Sequence, residues 1–231
     1  MKISILTLFP EMFEGPFNHS ILKRAIDNKL LEINFVNIRN FGIGTHQTVD
    51  DTTYGGGNGM VLRVDVLEKA IEGAKDANLK KNQQKVVLLS AHGKNFNQKI
   101  AKEYSTLENL IIVCGHYEGF DERIKDFIDE EISVGDFILT GGEIPAMLIA
   151  DTVARLIKGV IKEDSSKIES FSPHLEYPQY TKPQVYKNKK VPDVLLSGDH
   201  GKIDKWRKEQ SFKVTLKLRP DLIKSSKKAQ D

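Results

Sequence analysis

A chain of 231 residues with 39% hydrophobic content is long enough to bury one large core or two modest ones. No run approaches the roughly 18 uncharged apolar residues of a membrane span, and "MKISILTLFPEMF" acquires acid and proline too early for a signal peptide, so a cytoplasmic protein is expected. The net charge of +2 hides a division: from Thr181 onward there are 14 Lys and Arg against 6 Asp and Glu, leaving 20 against 26 before it, so a basic C-terminal third follows an acidic body.

In chain order, "MKISILTLF" alternates as a strand, "FNHSILKRAIDNKL" has a cap and helical spacing, and "LEINFVNI" is a second strand, which makes a βαβ opening. Residues 42–60 carry no period and are dense in glycine, threonine and aspartate, so they read as loop. "VLRVDVLEKAIEGAKDA" is predicted helical, followed by strand "KVVLLS", helix "GKNFNQKIAKEYS", strand "NLIIVCG", short helix "FDERIKDFI", and strand and turn in "EEISVGDFILTGGE". "IPAMLIADTVARLIKGV" is apolar on nearly every side, with Pro145 near its first turn, and predicts a buried helix. Alternating strands and helices predict an α/β domain with a mostly parallel sheet over residues 1–160. Residues 161–180 are polar, proline-bearing and aperiodic and read as a flexible linker. Residues 181–231 read as a small basic helical domain whose last eight residues, from Lys224, are a solvated tail.

In an open parallel sheet, ligands bind beyond the carboxyl ends of the strands. Three glycine-marked loops fall there: "SAHG" after "KVVLL", "CGHYEG" after "LIIV" and "TGGE" after "DFIL". Gly115, Gly119, Gly141 and Gly142 permit close backbone approach to a flat ligand, so three such loops predict a cradle. Neither G-x-G-x-x-G nor G-x-x-x-x-G-K-[ST] occurs, which argues against a dinucleotide fold or a P-loop. His46, His92, His116, His174 and His200 are scattered without metal-ligand spacing, so no metal site is expected. The single cysteine, Cys114, excludes an internal disulfide and reads as a buried strand end, the alternative being a catalytic thiol. The residues alone also leave open a non-catalytic RNA-binding module, with the glycine loops as tight turns.

"TVDDTTYGGGNGM", "CGHYEGFDER", "SVGDFILTGGEIPAM", "YPQYTKP" and "VPDVLLSGDHGKIDKWR" resemble, in order and spacing, the bacterial tRNA (guanine-N1)-methyltransferase family, TrmD, from "LFPEMF" to "LRPDL". The resemblance implies a SPOUT-type α/β fold with a deep C-terminal trefoil knot and a homodimer with shared active sites. It implies methyl transfer from S-adenosylmethionine to N1 of guanine at position 37 of the tRNA anticodon loop. Magnesium would be a candidate second cofactor, although no ligand cluster in the sequence predicts its place. Another SPOUT enzyme, acting on a ribose or a different base, is the alternative within the class.

By the same resemblance, Ser90, Gly115, Tyr117, Glu118, Gly119, Ile132, Gly135, Leu139 and Gly142 would hold the cofactor, and His46, Asp50 and Gly59 would lie near the target base. Lys202 and Arg207, with Lys205 and Lys208, would grip phosphates, while Trp206 would anchor its helix. Methylating N1 requires a base to remove its proton and a cation where charge gathers on O6. The resemblance gives Arg155 as the cation and Glu169 as the base. Members usually carry "DSF" where this chain has "ESF", and Asp164 is the alternative if the register slips. His116 replaces an arginine common in the family, and "SPHLEYPQY" is a shortened linker. The linker, residues 160–175, is expected to become ordered over a flipped-out guanine when tRNA binds.

Overall fold

Five strands form one parallel sheet in the computed structural model, which describes residues 1–57, 59–162 and 169–223. The chain divides into two compact units, Met1–Ile161 and Lys162–Asp231. In the first, β1 (Lys2–Thr7), β2 (Glu32–Asn37), β5 (Gln84–Asn95), β6 (Asn109–Val113) and β7 (Glu130–Ser133) lie in the order β2-β1-β6-β5-β7. Every neighbouring pair is parallel.

Successive side chains on each strand enter different cores. Ile3, Ile5, Val87, Leu89, Leu110 and Ile112 pack on one face with helices α1 (Ser20–Asp27), α3 (Gln98–Tyr104) and α4 (Glu143–Ala154). Leu6, Val86, Leu88, Ile111 and Val113 pack on the other with α2 (Val64–Ala74) and the 3-10 turns Ile38–Phe41 and Glu122–Phe127. Burial on both faces is why "KVVLL" and "LIIV" are continuous apolar runs rather than alternating ones.

The structure changes several predicted boundaries. Residues 42–60 are not all loop: β3 (Asp50–Thr52) pairs antiparallel with β4 (Met60–Leu62). The helix expected from Gly93 begins only at Gln98, because the side chain of Asn97 accepts the N–H groups of Lys99 and Ile100 and caps it there. "DFIL" is not a strand. After Ser133 its hydroxyl accepts the Gly135 N–H at 3.2 Å, and Gly135 at φ 152° turns the chain away from the sheet. β5 instead runs on to Asn95 across an irregularity, pairing Ile132 with both Leu89 and Lys94.

In the second unit, the strands β8 (Val185–Tyr186) and β9 (Lys189–Lys190) form a hairpin, followed by α5 (Asp193–Leu196) and the long α6 (His200–Leu218). Residues read as linker pack onto α6. The Ser211 hydroxyl donates to the Leu175 carbonyl at 2.6 Å, and the Leu175 N–H donates to Thr215 Oγ1 at 2.9 Å. Nearby, the Glu176 N–H donates to Ser170 Oγ at 3.0 Å. Asp164 and the tail from Lys224 lie outside the described residues. No helix among the described residues is long and apolar enough to cross a membrane.

Candidate active site

The connection from β6 to β7 steps across β5, and the carboxyl ends of β6 and β7, together with residues 88–92 in the middle of β5, open into a cavity of about 410 Å³; "SAHG", expected as a loop, lies within β5. That volume is in the range of small-molecule sites. Ser90, Gly115, Tyr117, Glu118, Gly119, Ile132, Gly135, Leu139 and Gly142 all line it. Backbone packing explains its shape. The Gly142 N–H donates to the Gly115 carbonyl at 2.8 Å, and a Cβ on Gly142 would stand 2.6 Å from the Gly115 nitrogen and 2.7 Å from Cys114 Cα. Only a residue without a side chain lets these two loops touch. A Cβ on Gly115 would meet the Phe120 ring at 2.9 Å, so that wall is also closed to side chains.

The β3–β4 hairpin is tied to the same wall. The Leu62 N–H donates to the Gly119 carbonyl, the Asp121 N–H to the Leu62 carbonyl, and the Glu118 N–H to the Met60 carbonyl. Gly59, at φ 85°, lies so close to Glu118 that a Cβ would stand 2.5 Å from Glu118 Cγ. Asp50 is half-buried in β3 opposite Leu62, whereas His46 is exposed. Neither lines the cavity.

Behind the glycines is a buried polar pair that sequence reading did not single out. Glu143, 2% exposed in the first turn of α4, accepts a 2.8 Å hydrogen bond from the fully buried Thr7 hydroxyl, which in turn accepts the Phe9 N–H. This ties the end of β1 to the "TGGE" loop. Beside it, His116 Nδ1 is buried without a partner among the described residues, its ring 5.1 Å from that of Phe9 and 5.0 Å from that of Tyr117. Burial pushes the Cys114 thiol well above its ordinary pKa, and the nearby Glu143 charge adds to this, so the thiol is no nucleophile at neutral pH.

A family model described as tRNA (Guanine-1)-methyltransferase TrmD matches residues 1–225. The chain belongs to that family. Relatives named tRNA (guanine-N(1)-)-methyltransferase include one from Carboxydothermus hydrogenoformans, 54% identical over 97% of this chain and 88% of its own. A second, from Metamycoplasma arthritidis, is 53% identical over 98% and 97%, and a third, from Dictyoglomus turgidum, is 51% identical over 100% and 93%.

The remaining predicted residues of this TrmD-family chain are not among those that line the cavity, and most belong to the second unit. Arg155 caps the C-terminal end of α4, its N–H bonded to the Asp151 carbonyl, and Glu169 is a half-buried residue of the second unit. Lys202 pairs with Asp199 at 3.1 Å. Arg207 pairs with Asp204 at 3.4 Å and lies over the Tyr177 ring at 5.1 Å. Trp206 is half-buried, its ring 6.3 Å from that of Tyr180.

Proposed function

We propose that the protein transfers a methyl group from S-adenosylmethionine to N1 of guanine 37 in the tRNA anticodon loop. The observation that carries the reading is the meeting of all nine candidate cofactor residues at one cavity, in a chain of the TrmD family. The cradle fits such a cofactor. The half-buried Gly115, Gly119 and Gly135 bring main chain to the cavity, where a flat base and a ribose are recognised, the buried Gly142 lets its loop close on that of Gly115, and Leu139 and Ile132 supply apolar walls. When bound, the cofactor supplies an electrophilic methyl group.

The chain's own residues do the rest. Glu169 takes the N1 proton as the methyl arrives, and Arg155 holds the charge that gathers on O6. The extra methylene of a glutamate where the family usually has aspartate requires the carboxylate to fold back, because misplacement costs rate. Lys202 and Arg207 serve tRNA binding, His46, Asp50 and Gly59 the target base, in this reading.

A homodimer completes the site. Phe137, Ile138, Ile144 and Leu148 are exposed, Ile138 at 84%, and Ile144, Leu148 and Arg155 share one helical face of α4. An apolar face of this kind suits a second copy of the chain, and a copy seated there would lie beside Arg155. A trefoil knot is the fold we infer for the region where the β6–β7 connection crosses β5 and Gly93 backs onto the main chain of Glu131 and Ile132. Magnesium is a candidate second cofactor without an assigned site, since among the described residues no group of three or more His, Cys, Asp or Glu is placed to hold a metal. Acting on tRNA, the enzyme belongs in the cytoplasm.

Labelled methyl transfer to a tRNA transcript with guanine at position 37, beside one with adenine there, tests the reaction. Labelled N1-methylguanosine from the first alone is the expected result, and label in neither would overturn it. Glu169→Ala should lower turnover while leaving cofactor affinity within about threefold, because a base acts on the transition state and not on cofactor binding.

A further inference from the structure

The positive charge of the second unit is not evenly spread. On and around α6, lysines and arginines are interleaved with Asp199, Asp204, Glu209 and Asp221, and Lys202, Arg207 and Arg219 are each paired with one of these acids. Between Lys182 and Val191, by contrast, there are four lysines and no acid. Among the described residues no carboxylate is paired with Lys187, Lys189 or Lys190.

This acid-free stretch is the β8–β9 hairpin, and its geometry presents the charge. Tyr186 lies opposite Lys189, and Val185 opposite Lys190, so the aromatic ring and one lysine share a face. The Lys187 ammonium lies over the Tyr186 ring at 5.5 Å, adding a second charge there. Tyr186 is 62% exposed, so the ring is a platform rather than a core residue. The turn itself is Lys187-Asn188, with φ 44° and 63°. A two-residue turn of that hand favours Asn-Gly, and a lysine at its first position is the unfavourable choice for the backbone. The unfavourable choice keeps an ammonium at the tip.

We propose that the β8–β9 hairpin is a phosphate-binding element of the second unit, seating the RNA backbone against Lys187, Lys189 and Lys190. This rests on the reading of the protein as a tRNA enzyme. It adds a contact distinct from Lys202 and Arg207, whose acids must be displaced before they reach a phosphate.

The test is the affinity of the full chain for a tRNA transcript across a range of potassium chloride concentrations, comparing the parent with K187Q/K189Q/K190Q. The slope of log affinity against log salt should flatten by about two units, because each phosphate neutralised contributes somewhat under one. A charge-matched variant of exposed lysines in the first unit, K80Q/K81Q/K102Q, should leave the slope within about half a unit. The arginine variant K187R/K189R/K190R should restore it, which separates lost charge from a lost fold. A hairpin variant with the parent's slope, or an arginine variant that fails to restore it, overturns the proposal. If the parent methylates guanine 37 while the hairpin variant keeps the parent's slope, only this inference fails. A parent that neither binds nor methylates tRNA sinks the functional reading and this inference with it.

Discussion

The two units are held together by different means. In the first, Ile3, Ile5, Val87, Ile111 and Ile112 are wholly buried within two apolar cores, one on each face of the sheet. In the second, Ile203 and Thr215 are the buried residues among those described, and named side-chain bonds and ring contacts carry the packing: Ser211 and Thr215 to Leu175, Arg207 over Tyr177, Tyr180 beside Trp206. Apolar burial is non-directional and tolerant of surface change, whereas a few directional bonds fail one at a time. In the function proposed, a rigid cofactor cavity suits the first arrangement and a surface that must adapt to RNA suits the second.

That contrast can be broken most forcefully in the first core. Ile112→Ala should destabilise the first unit by about 2–5 kcal/mol, the usual cost of a core cavity, read from denaturant unfolding. Gly142→Ala attacks the cavity rather than the core. With a Cβ driven against the main chain of Cys114 and Gly115, methyl transfer should fall on the order of a hundredfold, as it does when a reacting group is misplaced by about 1 Å. Cofactor titration of the folded variant should show weakened binding; parent-like binding and turnover would mean that the loop contact is dispensable.

Thr215→Val removes the hydroxyl that accepts from Leu175 and donates to Ser211. About 1–3 kcal/mol should be lost, confined to the second unit, since the partly buried Leu175 N–H is left without its acceptor. Hydrogen exchange at Leu175 should rise while that of β6 stays unchanged. Equal change in both units would refute the separation drawn above.

The smallest effect concerns pH. Burial raises the Glu130 carboxyl pKa, but hydrogen bonds from Lys85 and Tyr104, both at 2.8 Å, outweigh it and hold Glu130 below its ordinary value of 4.5. A carboxylate depressed in the folded state contributes stability that is full above the unfolded value and is lost as pH falls through the folded one. Acid unfolding below about pH 4.5 should therefore be shallower in Glu130→Gln, with a lower plateau at neutral pH. An identical acid limb in parent and variant would remove Glu130 from the account.

Legibility in the sequence followed the same division. β5 and β6 were visible because a strand buried on both faces is an unbroken apolar run, β1 because its isoleucines and leucines alternate with polar residues, and the resemblance to the family supplied the nine candidates that line the cavity. The β3–β4 hairpin was hidden because its apolar residues dock on Gly119 and Phe120, far away in sequence. Thr7 and Glu143 are 136 positions apart, so no local pattern announces their bond, although an acid heading the apolar run "EIPAMLIA" was a signal available to be read. "DFIL" looked like a strand by composition, and the Ser133 hydroxyl with Gly135 ended it early. The β8–β9 hairpin escaped because its turn is Lys-Asn, not the Asn-Gly that usually marks such a connection.

The burial of Cys114 has a practical consequence. With one thiol in the whole sequence, enclosed at the end of β6 and pushed by burial above its ordinary pKa, the native chain should react little with maleimide or iodoacetamide at neutral pH. A cysteine introduced at an exposed position such as Ser197 would then be the single reactive group. One fluorophore could be attached without first removing a native residue, and its signal would come from one known place as RNA arrives.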